Sequence, residues 1–271
     1  MSSKLSIAII CLIFLVLPSC VMETNNVVPL AAVGLIDDEA EPIADQGDFK
    51  VVYLDTSNEQ FAVLKQKIQD SHLFEDVAQN INSVFALPYD IEISFQECGE
   101  EKSYYDAQTH NIIVCYDLIN YVSEISLDKV ESEEELNTKI VNSMLFIFFH
   151  QAGHALSDAY GLELSDIEIG QLASIMLVES GEPGENSALD GAAWILLKVP
   201  QSGISDLDFI HEHDFYSQKE HIICWVYGKN PAAREYVIER GYLPEEDAVR
   251  CTQDYLQAKQ KWENILSKYI K

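Results

Sequence analysis

Positive charge is what this chain has least of. Lys and Arg total 17 against 45 Asp and Glu, a formal net charge of −28 over 271 residues. Such a surface repels phosphate backbones and anionic headgroups, so no direct nucleic-acid binding is expected. A long apolar run is also missing. The most apolar stretch, residues 5–17, is broken only by Ser6 and falls short of the roughly 18 residues that a membrane-spanning helix needs. No C-x-x-C spacing occurs, which sets aside a cysteine metal site. Neither an internal repeat nor a low-complexity tract is visible. With 48% hydrophobic and 10% aromatic residues, the chain can bury one substantial core and reads as one globular domain.

The short apolar run is too brief to span a membrane, but with Lys4 ahead of it, it fits the h-region of a secretory signal. It ends in Leu17-Pro18-Ser19-Cys20. This resembles the lipobox of bacterial lipoproteins, with Pro18 departing from the small aliphatic residue usual there. The resemblance implies cleavage before Cys20, lipidation of that cysteine, and a domain held at a membrane surface outside the cytoplasm only through its N-terminal anchor. Residues 1–20 are then a signal peptide. Residues 21–47 carry scattered acids with Pro29 and Pro42 and no period, and read as an acidic flexible linker. Residues 48–271 form the domain.

With Cys11 in the signal and Cys20 at its end, Cys98, Cys115, Cys224 and Cys251 are left. An even remainder in an oxidising compartment suggests two disulfides, for which three connectivities exist. Cys98 with Cys115 and Cys224 with Cys251 are favoured, because each pair brackets one local unit.

Along the domain, residues 49–54 and the alternating Ile91-Glu92-Ile93-Ser94-Phe95 read as strands. Between them lies a helical stretch, residues 58–85, broken near Ser71 and His72. Residues 103–105 and 112–116 read as the arms of a hairpin, with Cys98 and Cys115 at its ends. Helices follow near residues 116–125, 133–160, 166–180, 187–198, 214–228, 231–240 and 245–269.

The stretch FIFFHQAGHAL, residues 146–156, carries the chemistry. On a helix His150 and His154 lie four residues apart, on one face about a turn apart, and can both reach one metal ion. The preceding residues, from Met144 to Phe149, are all apolar, so the helix belongs to the core with its metal face lining a cleft. Gly153 keeps the backbone between the histidines slim. The order of a strand, a hairpin, the histidine helix and then an acidic segment resembles zincin metallopeptidases, in which a third ligand comes from a downstream helix.

A narrower likeness rests on SYYDAQTHNIIVCYDL, HQAGHALSDAYGL, Gln171-Leu172-Ala173, Ala192-Ala193-Trp194, Glu212-His213, Cys224-Trp225-Val226-Tyr227-Gly228, and the run from Leu243-Pro244 to Arg250-Cys251. These match, in the same order, an uncharacterised bacterial family of zincin-like metallopeptidase domains of unknown function. The resemblance implies an α+β zincin-like fold, with a small N-terminal sheet and hairpin followed by a mainly helical part. It also implies a zinc site and a cleft that takes a peptide or protein ligand.

The chain departs from that family where the chemistry would occur. Gln151 replaces the glutamate that acts as general base, and an amide has no basic site near neutral pH. Asp166 falls where the family has its acidic third ligand, with Glu168 as the alternative, and Gly170 replaces an aspartate. His213 stands where an oxyanion-stabilising histidine could lie beside the cleft. The expectation is an exported, lipid-anchored metallopeptidase homologue with impaired or absent catalysis. The other readings are an active peptidase that uses Glu163 or Glu168 as base, and a metal-free interaction protein. His110 is read as structural.

Overall fold

The computed structural model describes residues 43–198 and 209–271, with side chains described for 43–193 and 219–271. Cys20 and the proposed signal peptide lie outside the described residues. The architecture is α+β, a four-stranded sheet followed by a mostly helical remainder.

Strand β1 (Phe49–Tyr53) leads through helices α1 (Glu59–Ser71) and α2 (Leu73–Val84) into β2 (Ile91–Gln96). Asn58 caps α1 by accepting from the backbone of Gln60 and Phe61, and the expected break falls at His72, which adopts φ 53. β2 pairs in parallel with β1 and, on its other side, with β4 (Asn111–Cys115), Ile93 lying opposite Ile112. β3 (Ser103–Asp106) closes the antiparallel hairpin and is an edge strand of the order β1-β2-β4-β3. Ile91, Ile93 and Phe95 alternate onto the buried face, as a half-covered strand requires. Residues just before Asp48 also contact the domain: Gln46 and Gly47 donate to the Leu87 carbonyl at 2.8 and 3.0 Å, and Asp45 pairs with Lys271 at 2.7 Å.

Both expected cysteine pairs are at bonding distance, Cys98–Cys115 and Cys224–Cys251, with Cα atoms 5.6 and 4.9 Å apart. Asp117 secures the first pair by accepting from the backbone of Cys98 and Gly99 at 2.9 and 3.2 Å.

The helical part begins with α3 (Tyr116–Leu127) and the 27-residue α4 (Glu133–Ala159), which Ser132 caps at 3.1 Å from Glu135 N. Next come α5 (Asp166–Glu179), α6 (Glu182–Lys198), α7 (Phe209–Lys229), a short α8 (Tyr236–Glu239) and α9 (Glu245–Leu266). α6 starts earlier than its periodicity suggests, because Pro183 sits in its first turn, where a missing N–H costs nothing. The single helix expected over residues 231–240 is instead two short pieces, a 3₁₀ turn at Pro231–Ala233 and then α8. Arg234 breaks them apart by turning inward to a buried partner, Glu185. α4 runs through the middle of this half. Phe148 and Phe149 on it join Phe74 and Phe95 in a chain of aromatic contacts with ring centroids 4.7–5.8 Å apart.

Candidate metal centre

α4 carries the two histidines and α5 brings an acid to them. Their approach depends on Gly153: a Cβ there would meet Ile169 Cγ2 at 3.0 Å and Leu172 Cδ2 at 3.9 Å. The absent side chain lets α5 lie against α4 at the turn between the histidines. The chain reverses between them at Gly161, whose φ of 61 suits glycine. Ser165 then opens α5 with a capping box, which points the first turn of α5 back toward the histidines.

The outcome is a compact donor set. His150 Nε2 and His154 Nε2 are 3.3 Å apart, and Asp166 Oδ1 is 3.5 Å from His154 Nε2. Ligand atoms of His150, His154 and Asp166 all lie within 4.8 Å of one another. Two imidazoles and one carboxylate are a donor set that suits a divalent transition metal. Burial holds the His154 imidazole below its ordinary pKa while Asp166 pulls the other way. The neutral form that a metal needs is therefore the resting one at neutral pH. Asp166 is 87% exposed, so the group is open on that side.

The alternative acid, Glu168, is placed differently. One oxygen accepts from Ser165 at 3.0 Å and the other from Lys261 at 3.1 Å. Those bonds, the backbone of Ser165 first and Lys261 next, hold its carboxyl below the usual range. It is a helix cap, and its depressed pKa makes it a poor proton acceptor. Gln151 is half-buried on the same turn of α4. His213 falls in the first part of α7, residues 209–218, of which only the backbone is described. Of the tryptophans, Trp225 and Trp262 are buried in the core.

Sequence reasoning passed over a second cluster on this helix face. Asp158 lies four residues beyond His154, on the same stripe as both histidines. Its Oδ2 accepts from Tyr105 Oη at 2.8 Å and from Tyr89 Oη at 3.0 Å, and His110 Nδ1 lies 3.5 Å away. His110 occupies the hairpin turn at φ 53 and stacks on Tyr89 with centroids 3.8 Å apart. Burial and then Asp158 push the Tyr89 phenol up to about 12 and raise that of Tyr105 further, so both remain donors. The cluster clasps the edge hairpin to the histidine helix. The four-residue step from His154 to Asp158 was its one visible signal.

A family model described as "Putative metallopeptidase" matches residues 53–266. No curated protein and no solved structure matches the chain.

Proposed function

The chain belongs to this metallopeptidase family, and on that premise we propose that it is a zinc-binding peptidase scaffold whose own hydrolytic chemistry is impaired. One observation carries the reading: the turn of α4 that supplies two members of a three-ligand group, His150 and His154, has Gln151 between them. A zincin-like arrangement puts a glutamate at that position.

His150, His154 and Asp166 would hold the ion. When bound, zinc polarises a carbonyl and lowers the pKa of a water molecule. The protein must still take up a proton, and here the residues fall short. Gln151 can donate and accept hydrogen bonds but has no basic site. Glu168 is committed to Ser165 and Lys261. Loss of a general base costs about 10²–10⁴-fold in rate. The same cleft can still hold a peptide, with the clasp of Tyr105, His110 and Asp158 fixing the edge hairpin beside the ligand helix.

The proposal extends to location. The leader and Cys20 support export and lipid anchoring, and two disulfides are compatible with an oxidising compartment. Among the described residues no helix is long and apolar enough to cross a membrane.

The test pairs metal analysis with proteolysis of an unfolded protein substrate. The wild-type domain is expected to hold about one zinc per chain, lost in His150→Ala, and to cleave little. Gln151→Glu is expected to gain chelator-sensitive cleavage, by about 10²-fold or more. Chelator-sensitive cleavage by the wild type at the rate of Gln151→Glu would refute the impairment, and absence of bound metal would refute the scaffold reading.

A further inference from the structure

Away from the histidines, a cavity of about 450 Å³ opens where the N-terminal half of α4 meets α6, α7 and α8. Its charge runs against that of the molecule. In a chain at −28, Lys139, Lys219 and Arg240 all line it. Its two acids are already occupied. Asp190 accepts from Lys139 at 3.3 Å and from Asn142 at 2.7 Å. Glu135 turns back along the helix and accepts from the backbone of Glu131 at 2.9 Å.

Among the described residues, no acid of the lining compensates Lys219 or Arg240. Elsewhere among the described residues most cations meet an acid, as Lys50 meets Asp90, Lys65 Asp55, Lys261 Glu168 and Lys271 Asp45; Lys67, Lys129 and Lys268 do not, but none of these lines this cavity. Among the described residues, neither Lys219 nor Arg240 lies within ion-pair distance of a carboxylate. Arg240 instead rests over the Tyr236 ring, 5.5 Å from its centroid, which leaves the donor edge of its planar guanidinium for a ligand. Tyr236 and Tyr242 flank the cavity, and Ile223 and Val237 supply apolar wall. Its size falls in the range of small-molecule sites, which join apolar walls to a few polar groups that fix orientation.

We propose that this cavity binds a small organic anion, a carboxylate carried on a flat apolar group. The carboxylate would engage the Arg240 guanidinium and the Lys219 ammonium, and the flat group would lie against the tyrosines. The site is independent of the metal centre, so its test must keep the two apart.

Titration calorimetry of the full chain, stripped of metal by chelator, with 4-hydroxyphenylacetate as probe would decide it. Saturable binding at one site per chain is expected, about tenfold weaker for the corresponding amide, which keeps the ring and loses the charge. The Lys219→Gln/Arg240→Gln double variant should weaken binding by about tenfold or more, and Arg240→Lys by less, since it keeps charge without the fork. His150→Ala and Lys67→Gln should bind as the wild type does. No saturable binding, equal binding of acid and amide, or retention in a folded double variant would overturn the proposal. So would a loss in His150→Ala, which would place the probe at the histidines, or in Lys67→Gln, which would reduce the effect to bulk charge. Circular dichroism establishes folding of each variant; should the double variant not fold, Arg240→Lys and Lys219→Gln singly carry the same comparison.

Discussion

Two of the places where this molecule brings carboxylates to nitrogen groups are built in opposite ways. At Glu185 everything is closed. The carboxylate accepts from Arg234 Nε and Nη2 at 2.9 and 2.7 Å, and Lys229 Nζ stands 3.3 Å from its other oxygen. Arg234 Nη1 reaches Asn186 at 3.2 Å, and Lys229 also donates to the Val178 carbonyl. The side chains of Glu185 and Arg234 are only 5% and 8% exposed. At His150, His154 and Asp166 the opposite holds: donor atoms cluster within 4.8 Å, yet Asp166 is almost wholly exposed. Both oxygens of Glu185 are engaged in holding α6, one to the turn before α8 and the other to the end of α7. At the histidines, ligand atoms of three residues gather within reach of one another while the acid among them stays open to solvent. A structural ion pair consumes its bonding capacity, and a ligand site keeps it in reserve.

The comparison breaks first at the closed end. Arg234→Met leaves Glu185 buried with only Lys229, and removal of one partner from such a pair costs about 3–5 kcal/mol. The low end is expected because Lys229 stays. Urea denaturation reads the loss, while zinc content should not change; a shift under 1 kcal/mol would mean that the pair behaves like a surface bridge. Next, Cys98→Ser with Cys115→Ser opens a loop spanning 17 positions, worth about 3 kcal/mol by loop-closure entropy. The hairpin loosens, but the three ligands lie on α4 and α5. Zinc affinity measured against a competing chelating dye should therefore hold, and a parallel fall would show that the hairpin supports the ligands directly.

Gly153→Leu tests how the open site is held together. A side chain at that point meets Ile169 and must push α5 from α4, at about 1–3 kcal/mol. Because α5 carries Asp166, zinc affinity should drop although all three ligands are present. Unchanged affinity would mean that Asp166 reaches the histidines without close contact between the helices.

How much of this was legible in the sequence depends on the distance over which each feature is set. The histidine pair is a local pattern, i and i+4 on one helix, and the break at His72 and both cysteine brackets are local too. Asp166 was reachable only through the family resemblance, by alignment back from Gln171, and not through a local pattern. The capping box Ser165-x-x-Glu168 was also in plain view, and it already assigns Glu168 to the backbone instead of to a ligand. What stayed hidden needs partners far apart along the chain. The parallel pairing of β2 with β4 is one case, and Arg234 turning in to Glu185 across 49 positions is another. The clasp of Tyr89 and Tyr105 on Asp158, across 69 and 53 positions, is a third. No periodicity encodes such meetings, because they depend on how finished elements pack.

Asp166→Asn produces the smallest effect on the fold and the sharpest contrast with Arg234→Met. Asp166 is 87% exposed and among the described residues its one ion-pair contact is with His154, so unfolding free energy should change by less than about 0.5 kcal/mol, as at ordinary surface positions. The first turn of α5 also loses a favourable charge at its N-terminus, a term of about 0.3–1 kcal/mol that Glu168 partly covers. Zinc affinity, by contrast, should fall by about tenfold or more, since a neutral amide oxygen replaces a carboxylate in a three-ligand set. Circular dichroism with urea reads the first quantity and the dye competition reads the second. Loss of stability without loss of affinity would place Asp166 with the helix caps, and the open site would shrink to two histidines.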